Sequence, residues 1–284
     1  MRKICIVTDT ASGLTSNEAI VNNIVLVPLS VLVNGKEYQD YFELTYNKLN
    51  DFLRAKADIK TSQPNLGLLN EVMVNLKSKD YDDILIFPIS SKLSGTYQAF
   101  ILATLQNQMT NVSIVDTGTL VGSQRYVTLC AAEMAKAGKS KEEIINVIMR
   151  ILRETITYVL PENLDQLKRG GRISSNAATL SSLLKVKIGL VLGNYGDAFE
   201  KFATTRTDEK LFQTIFESMK KEGFNVDSHK AYILHAEGIP KLDKFISSFN
   251  RAFPNANYEI YDLPSVIAAH AGLNTVAIQF IQKL

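Results

Sequence analysis

The sequence predicts an α/β protein of two domains, a doubly wound, mostly parallel sheet over residues 1–158 and a smaller C-terminal α/β domain over 159–284. Three observations carry this expectation. Short Val- and Ile-rich runs alternate with longer amphipathic stretches, as in βαβ units. The chain has 284 residues, more than one ordinary domain needs. After Pro161 the texture changes to a Gly/Arg loop followed by closely spaced strand runs.

The elements follow in order. Lys3 to Thr8 is a β-branched run that stops at Asp9, and Ile24 to Val33 reads as a second strand. Asp83 to Pro88 and Val112 to Asp116 are the next two. Helical patterns at Tyr46 to Lys56, Leu66 to Lys79, Gly95 to Gln106 and Leu120 to Ala137 are spaced as crossovers in a parallel sheet. Ser140, with Glu143 three residues on, announces a capped helix from Lys141 to Arg153, and Ile156 to Leu160 is an apolar strand closed by Pro161. Lys168-Arg169-Gly170-Gly171-Arg172 reads as a loop, and a small-residue helix starts at Ser175. Lys187 to Leu192 and Phe199 to Ala203 are strand runs joined by a hairpin turn at Asn194-Tyr195-Gly196-Asp197. Helix Asp208 to Lys221, strand Lys230 to His235, helix Lys241 to Phe249 and strand Asn257 to Tyr261 follow. A strand-like run at Ser265 to His270 then leads to a last helix from Leu273 to Lys283.

Charge excludes several classes of function. Lys+Arg number 31 against 29 Asp+Glu, a formal net charge of +2, too little clustered excess for a nucleic-acid partner. No apolar run approaches the roughly 18 residues of a membrane span, and the start lacks the apolar core of a signal peptide, so a cytoplasmic location with at most transient membrane-surface contact is expected. Cys5 and Cys130 are expected to be free core thiols. His229 and His235 have no partners in metal-ligand spacing, so no metal site is assigned. Asp9 and Asp116, at strand ends, suit either a magnesium ion or the capping of the following turn. There is no nucleotide loop, dinucleotide fingerprint or nucleophile elbow.

Three stretches place hydroxyls or an imidazole at tight turns. In Lys60-Thr61-Ser62-Gln63-Pro64, Ser62 is a natural helix N-cap, and the helix amides with the two hydroxyls would make an anion site; the same residues also make an ordinary cap. Ser94-Gly95-Thr96 follows a strand end, where open α/β sheets bind ligands, and is equally turn chemistry. His270 beside Gly272 is either a site residue or a satisfied turn histidine.

Together, Val7-Thr8-Asp9-Thr10-Ala11-Ser12, Pro28-Leu29-Ser30-Val31, Gly35-Lys36-Glu37-Tyr38, Thr61-Ser62-Gln63-Pro64, Ser90 to Gln98 and Leu167 to Ile173 resemble the DegV family in order and spacing over essentially the whole chain. The resemblance implies a protein that holds a long-chain fatty acid in a buried tunnel and presents it to a separate ATP-dependent fatty acid kinase subunit, which forms an acyl phosphate for phospholipid synthesis. It implies no cofactor. Thr61, Ser62, Ser94 and His270 would bind the carboxylate, and Lys168, Arg169, Arg172 and Arg206 would contact phosphate or partner. Two departures stand out: Ala269-His270-Ala271-Gly272-Leu273-Asn274 lacks the hydroxyls and the Pro-Gly that usually flank this histidine, and acidic Asp208-Glu209 follows Arg206. The alternative function is a serine hydrolase or acyltransferase using Ser94 and His270, with Asp262 brought in by folding to orient the histidine.

Overall fold

The computed structural model describes residues 3–178, 186–193 and 198–284. The anticipated hairpin turn at 194–197 lies outside the described residues, as does the chain beyond Ala178 in the helix from Ser175.

The chain runs β1 (Ile4–Asp9), α1 (Ser16–Val21), β2 (Ile24–Val27), β3 (Ser30–Val33), β4 (Lys36–Gln39), α2 (Tyr46–Arg54), β5 (Ile59–Ser62), α3 (Leu66–Ser78), β6 (Asp83–Phe87), α4 (Thr96–Gln106) and β7 (Val112–Ile114). It continues with α5 (Val121–Lys136), α6 (Lys141–Leu152), β8 (Ile156–Leu160), α7 (Asp165–Gly170), α8 (Ser175–Ala178), β9 (Lys187–Leu192), β10 (Glu200–Thr205) and α9 (Asp208–Lys221). The last elements are β11 (His229–Ala236), α10 (Ile239–Ala252), β12 (Tyr258–Asp262), α11 (Ser265–Ala271) and β13 (Thr275–Gln282).

Among the described residues three sheets form. The order β2-β1-β6-β7 is wholly parallel, β4-β3-β5 is a small antiparallel sheet, and β10-β9-β8-β13-β11-β12 is mixed, with only the β11–β12 pair parallel. In the parallel sheet the chain steps to opposite sides of β1, so the crevice beyond the ends of β1 and β6 is a topological switch point. Helix α5 lies between the two larger sheets, and its residues Val121 to Val127 are buried apart from a partly covered Tyr126. The main core cluster draws on Leu29, Val31 and Leu85 from one half and on Val159, Leu234 and Ala277 from the other. A phenylalanine-rich cluster covers the far face of the mixed sheet under α9 and α10, and a third lies under α3 and α4.

Four expectations need correction. The run Ile24 to Val33 is two strands in different sheets, because Pro28 lacks the N–H a continuing ladder needs, and the Leu29 amide bonds Thr10 Oγ1 instead. The segment from Leu273 is the central strand β13, not a helix. It is buried on both faces, with Val276, Ile278 and Phe280 on one and Ala277 and Ile281 beside Thr275 and Gln279 on the other, and such a run does not show its period. The run 265–271 is helix α11, which begins after Pro264 and ends where Gly272 takes φ 76°. Lys168-Arg169-Gly170 closes helix α7 instead of forming a loop, and Gly171 takes the left-handed position after it at φ 68°. Residue 158, where the domain boundary was expected, falls inside β8, a strand of the mixed sheet.

Two buried carboxylates tie these layers together. Asp9 accepts from the Ala11 and Ile89 amides and from Gln124 Nε2, and burial pushes it up to about 6. Asp40 accepts from the Val266 amide at the start of α11, and burial pushes it up to about 7. Between the unfolded carboxylate range and these values the folded chain holds protons that the unfolded chain has released, so each group's contribution makes stability fall as pH rises through that window. His270 acts in the opposite sense below its ordinary range. Asp40→Asn is therefore expected to gain stability over wild type by an amount that grows by on the order of 2 kcal/mol between about pH 5 and about pH 8, read from urea denaturation at the two pH values. A gain that does not change with pH would refute a protonated Asp40.

Candidate functional site

The site begins at the turn after β6. Asp9 holds the Ile89 amide, the Ser90 amide donates to the Thr119 carbonyl, and Asp116 accepts from both the amide and hydroxyl of Ser91. Both aspartates thus cap turns, and among the described residues no group of three or more acidic, histidine or cysteine side chains is arranged to hold a metal. The turn so pinned delivers Ser94, whose Oγ lies 2.8 Å from Thr96 Oγ1 and accepts from the Thr96 amide at the start of α4.

Thr61 comes from β5, one residue before its end. Ser62 does not cap α3, as the sequence suggested; Asn65 does, accepting from the Gly67 and Leu68 amides. Those helix amides are therefore already engaged. His270, in the last turn of α11, brings Nε2 to 2.6 Å from Thr61 Oγ1. Burial, with a smaller push from the Arg172 guanidinium, lowers its basicity to about 4, so the imidazole is neutral near neutral pH. It offers a hydrogen bond rather than a charge.

The Gly170-Gly171-Arg172 segment completes this end. A Cβ on Gly170 would stand 2.1 Å from His270 Nδ1, so only glycine leaves room for the ring. Arg172 donates Nε to the Leu93 carbonyl at 3.0 Å and Nη1 to the Gly170 carbonyl, clamping the Ser94 turn against the end of α7. The Gly-Gly pair is the local signal in the amino-acid order, but nothing beside it says that a histidine 100 residues away needs the space.

Thr61, Ser62, Ser94, Arg172 and His270 all line one cavity of about 240 Å³. Its other walls are mostly apolar, from Leu29, Ile89 and Leu93 on one side to Val159, Leu234 and Ala277 on the floor, where Thr157 and Gln279 are the polar exceptions. Ala271 adds to that apolar wall and Ala269 is buried in the core. Lys168 and Arg169 are exposed in the last turn of α7, where cations suit the helix dipole, and Arg206 is exposed beyond the end of β10. None of these three lines the cavity. Ser94 pairs with Thr96, while His270 pairs with Thr61. Asp262 lies 3.5 Å from His235 instead of orienting His270. The geometry of a serine–histidine–carboxylate relay is therefore not what these side chains make.

A DegV family model matches residues 3–283 of the chain. The protein belongs to the DegV family. A DegV domain-containing protein of Staphylococcus aureus is 30% identical over 284 residues, covering 100% of each chain. Among solved structures, a DegV family protein of Thermus thermophilus, described by its fatty acid binding, shares 28% identity with a TM-score of 0.86 over 99% of this chain and 100% of its own. The DegV of Bacillus subtilis, described as a fatty acid binding protein, shares 26% identity with a TM-score of 0.85 over the full length of both. The mixed α/β architecture with separate parallel and mixed sheets is that of these DegV structures. Among the described residues of this DegV protein, no helix is long and apolar enough to cross a membrane.

Proposed function

We propose that this DegV protein binds a long-chain fatty acid, with the acyl chain in the cavity and the carboxylate among Thr61, Ser94, His270 and Arg172. The observation that carries this reading is an otherwise apolar cavity whose polar groups gather largely at one end as hydroxyls, a neutral imidazole and a guanidinium. Each methylene removed from water contributes about 0.8 kcal/mol, so the chain supplies affinity. A buried carboxylate must be met by donors or it costs several kcal/mol, so the head-group residues set its position. The fatty acid binding described for the Thermus thermophilus and Bacillus subtilis relatives supports the same reading.

The finer reading is that a separate kinase subunit phosphorylates the held acid. A carboxylate oxygen takes the γ-phosphoryl group of ATP, ADP leaves, and the protein retains the acyl phosphate for transfer to phospholipid synthesis. Hydroxyl and imidazole donors suit this step because they leave an oxygen lone pair free for attack, while Arg172 has Nε and Nη1 already engaged by the Leu93 and Gly170 carbonyls. In this reading Lys168, Arg169 and Arg206, all exposed, contact the nucleotide phosphates or the partner.

Native mass spectrometry of the purified protein is expected to show one bound acyl mass per chain, and delipidation to lower the melting temperature. Thr61→Val and Ser94→Ala should each weaken fatty acid binding about tenfold, with melting temperatures of the delipidated proteins close to wild type. No stoichiometric acyl species on extraction, together with no thermal shift on adding palmitate or oleate, would sink the proposal.

A further inference from the structure

The floor of the cavity carries one polar feature that the head group does not use. Thr157 on β8 and Gln279 on β13 are direct cross-strand partners, 4% and 0% exposed, and both line the cavity. The Gln279 amide is fully committed: Oε1 accepts from the Ser123 amide, and Nε2 donates to the Leu120 carbonyl and to Thr157 Oγ1 at 2.8 Å. A backbone amide only donates, so these partners fix which end of the Gln279 side chain faces Thr157. Thr157 is thereby the acceptor in that bond, and its own hydroxyl proton has no acceptor among the described residues. An unspent donor on an apolar wall is unfavourable unless an occupant of the cavity meets it.

Its position along the cavity is also defined. Thr275 Oγ1 donates to the Ala271 carbonyl, beside His270, and Gln279 lies four residues further along the same strand, roughly 13 Å away at the usual strand rise. A chain whose carboxylate sits at His270 would pass Thr157 with its middle carbons.

Resting on the fatty acid reading above, we infer that Thr157 selects acyl chains carrying a hydrogen-bond acceptor at mid-chain. The acceptor is either an oxygen substituent or the π face of a cis double bond. Gln279 acts as the positioning residue that holds the threonine oxygen and leaves its proton directed to the ligand. Val159 and Ala277, the next cross-strand pair on this face, offer no such donor.

The test compares stearate, oleate and a series of hydroxystearates with the hydroxyl at successive mid-chain carbons, titrated into delipidated wild type, Thr157→Val and Thr157→Ser. In wild type one hydroxystearate isomer is expected to bind about tenfold tighter than its neighbours in the series. That ratio should fall to near one in Thr157→Val, which keeps the shape, and persist in Thr157→Ser, which keeps the hydroxyl. If the double bond is the natural source, the oleate-to-stearate ratio falls in the valine variant as well. Stearate binding with every ratio unchanged between wild type and Thr157→Val would overturn this inference alone. No stearate binding by wild type would overturn the fatty acid reading and this inference with it.

Discussion

Gly170→Ala is expected to reduce fatty acid affinity by more than tenfold while leaving the fold intact. Helix propensity alone argues the reverse sign for stability, since alanine is favoured over glycine by about 1 kcal/mol in a helix. Gly170 is the last residue of α7 and its φ is not in the left-handed region, so the backbone accepts alanine. The obstacle is lateral: the new Cβ would stand 2.1 Å from His270 Nδ1 and 2.6 Å from Cε1. The imidazole is largely buried and its other nitrogen is bonded to Thr61, so it can clear the methyl only by abandoning that bond. Gly95 is the internal control. A Cβ there would meet Gln63 Oε1 at 2.5 Å, but that is the far end of a flexible side chain that can turn away. Isothermal titration with palmitate should therefore show a large loss for Gly170→Ala and a small one for Gly95→Ala. Equal affinities in wild type and Gly170→Ala would mean that the ring placement does not matter to the carboxylate.

Gly122→Ala is expected to destabilise the protein by about 2 to 3 kcal/mol, although the position is in the first turn of a helix. The added Cβ would come within 2.4 Å of Tyr232 Cγ and 2.6 Å of its Cβ, which are the stem of that side chain and cannot swing aside. Tyr232 is 1% exposed on β11, and α5 is wedged between the two larger sheets, so relief requires moving the helix off the mixed sheet. The movement would also strain the bond from the Ser123 amide to Gln279 and shift Val121 in the cavity wall, so fatty acid binding should weaken too. Urea denaturation with an unchanged slope and a lower midpoint is the expected result. A variant as stable as wild type would show that the helix-to-sheet spacing is loose.

The site residues with local signatures were visible in the amino-acid order: Thr61 before Ser62 and Pro64, Ser94 before Gly95, and His270 before Gly272 each sit at a break in hydrophobic pattern. Their roles in local structure were harder to read. Ser62 looked like a cap because Pro64 suits a first helical turn, yet Asn65 competes for the same amides and wins by lying next to them. Ile24 to Val33 looked like one strand because β-branched residues mark strands on either side of a break, and only the pairing partners of each half reveal two sheets.

By itself the sequence determined the fold class, most of the elements from β1 to α10, and the kinds of donor that a buried carboxylate would need. These follow from periodicity, capping and side-chain chemistry, which act over a few residues. Tertiary structure decided that β13 is a central strand, that Gly170 makes room for His270, that Arg172 clamps Leu93, and that Gln279 leaves the Thr157 proton unspent. A run buried on every side has no period to display, and a contact across 79 to 209 residues of sequence leaves no local trace. Both depend on which faces meet when the sheets close over α5.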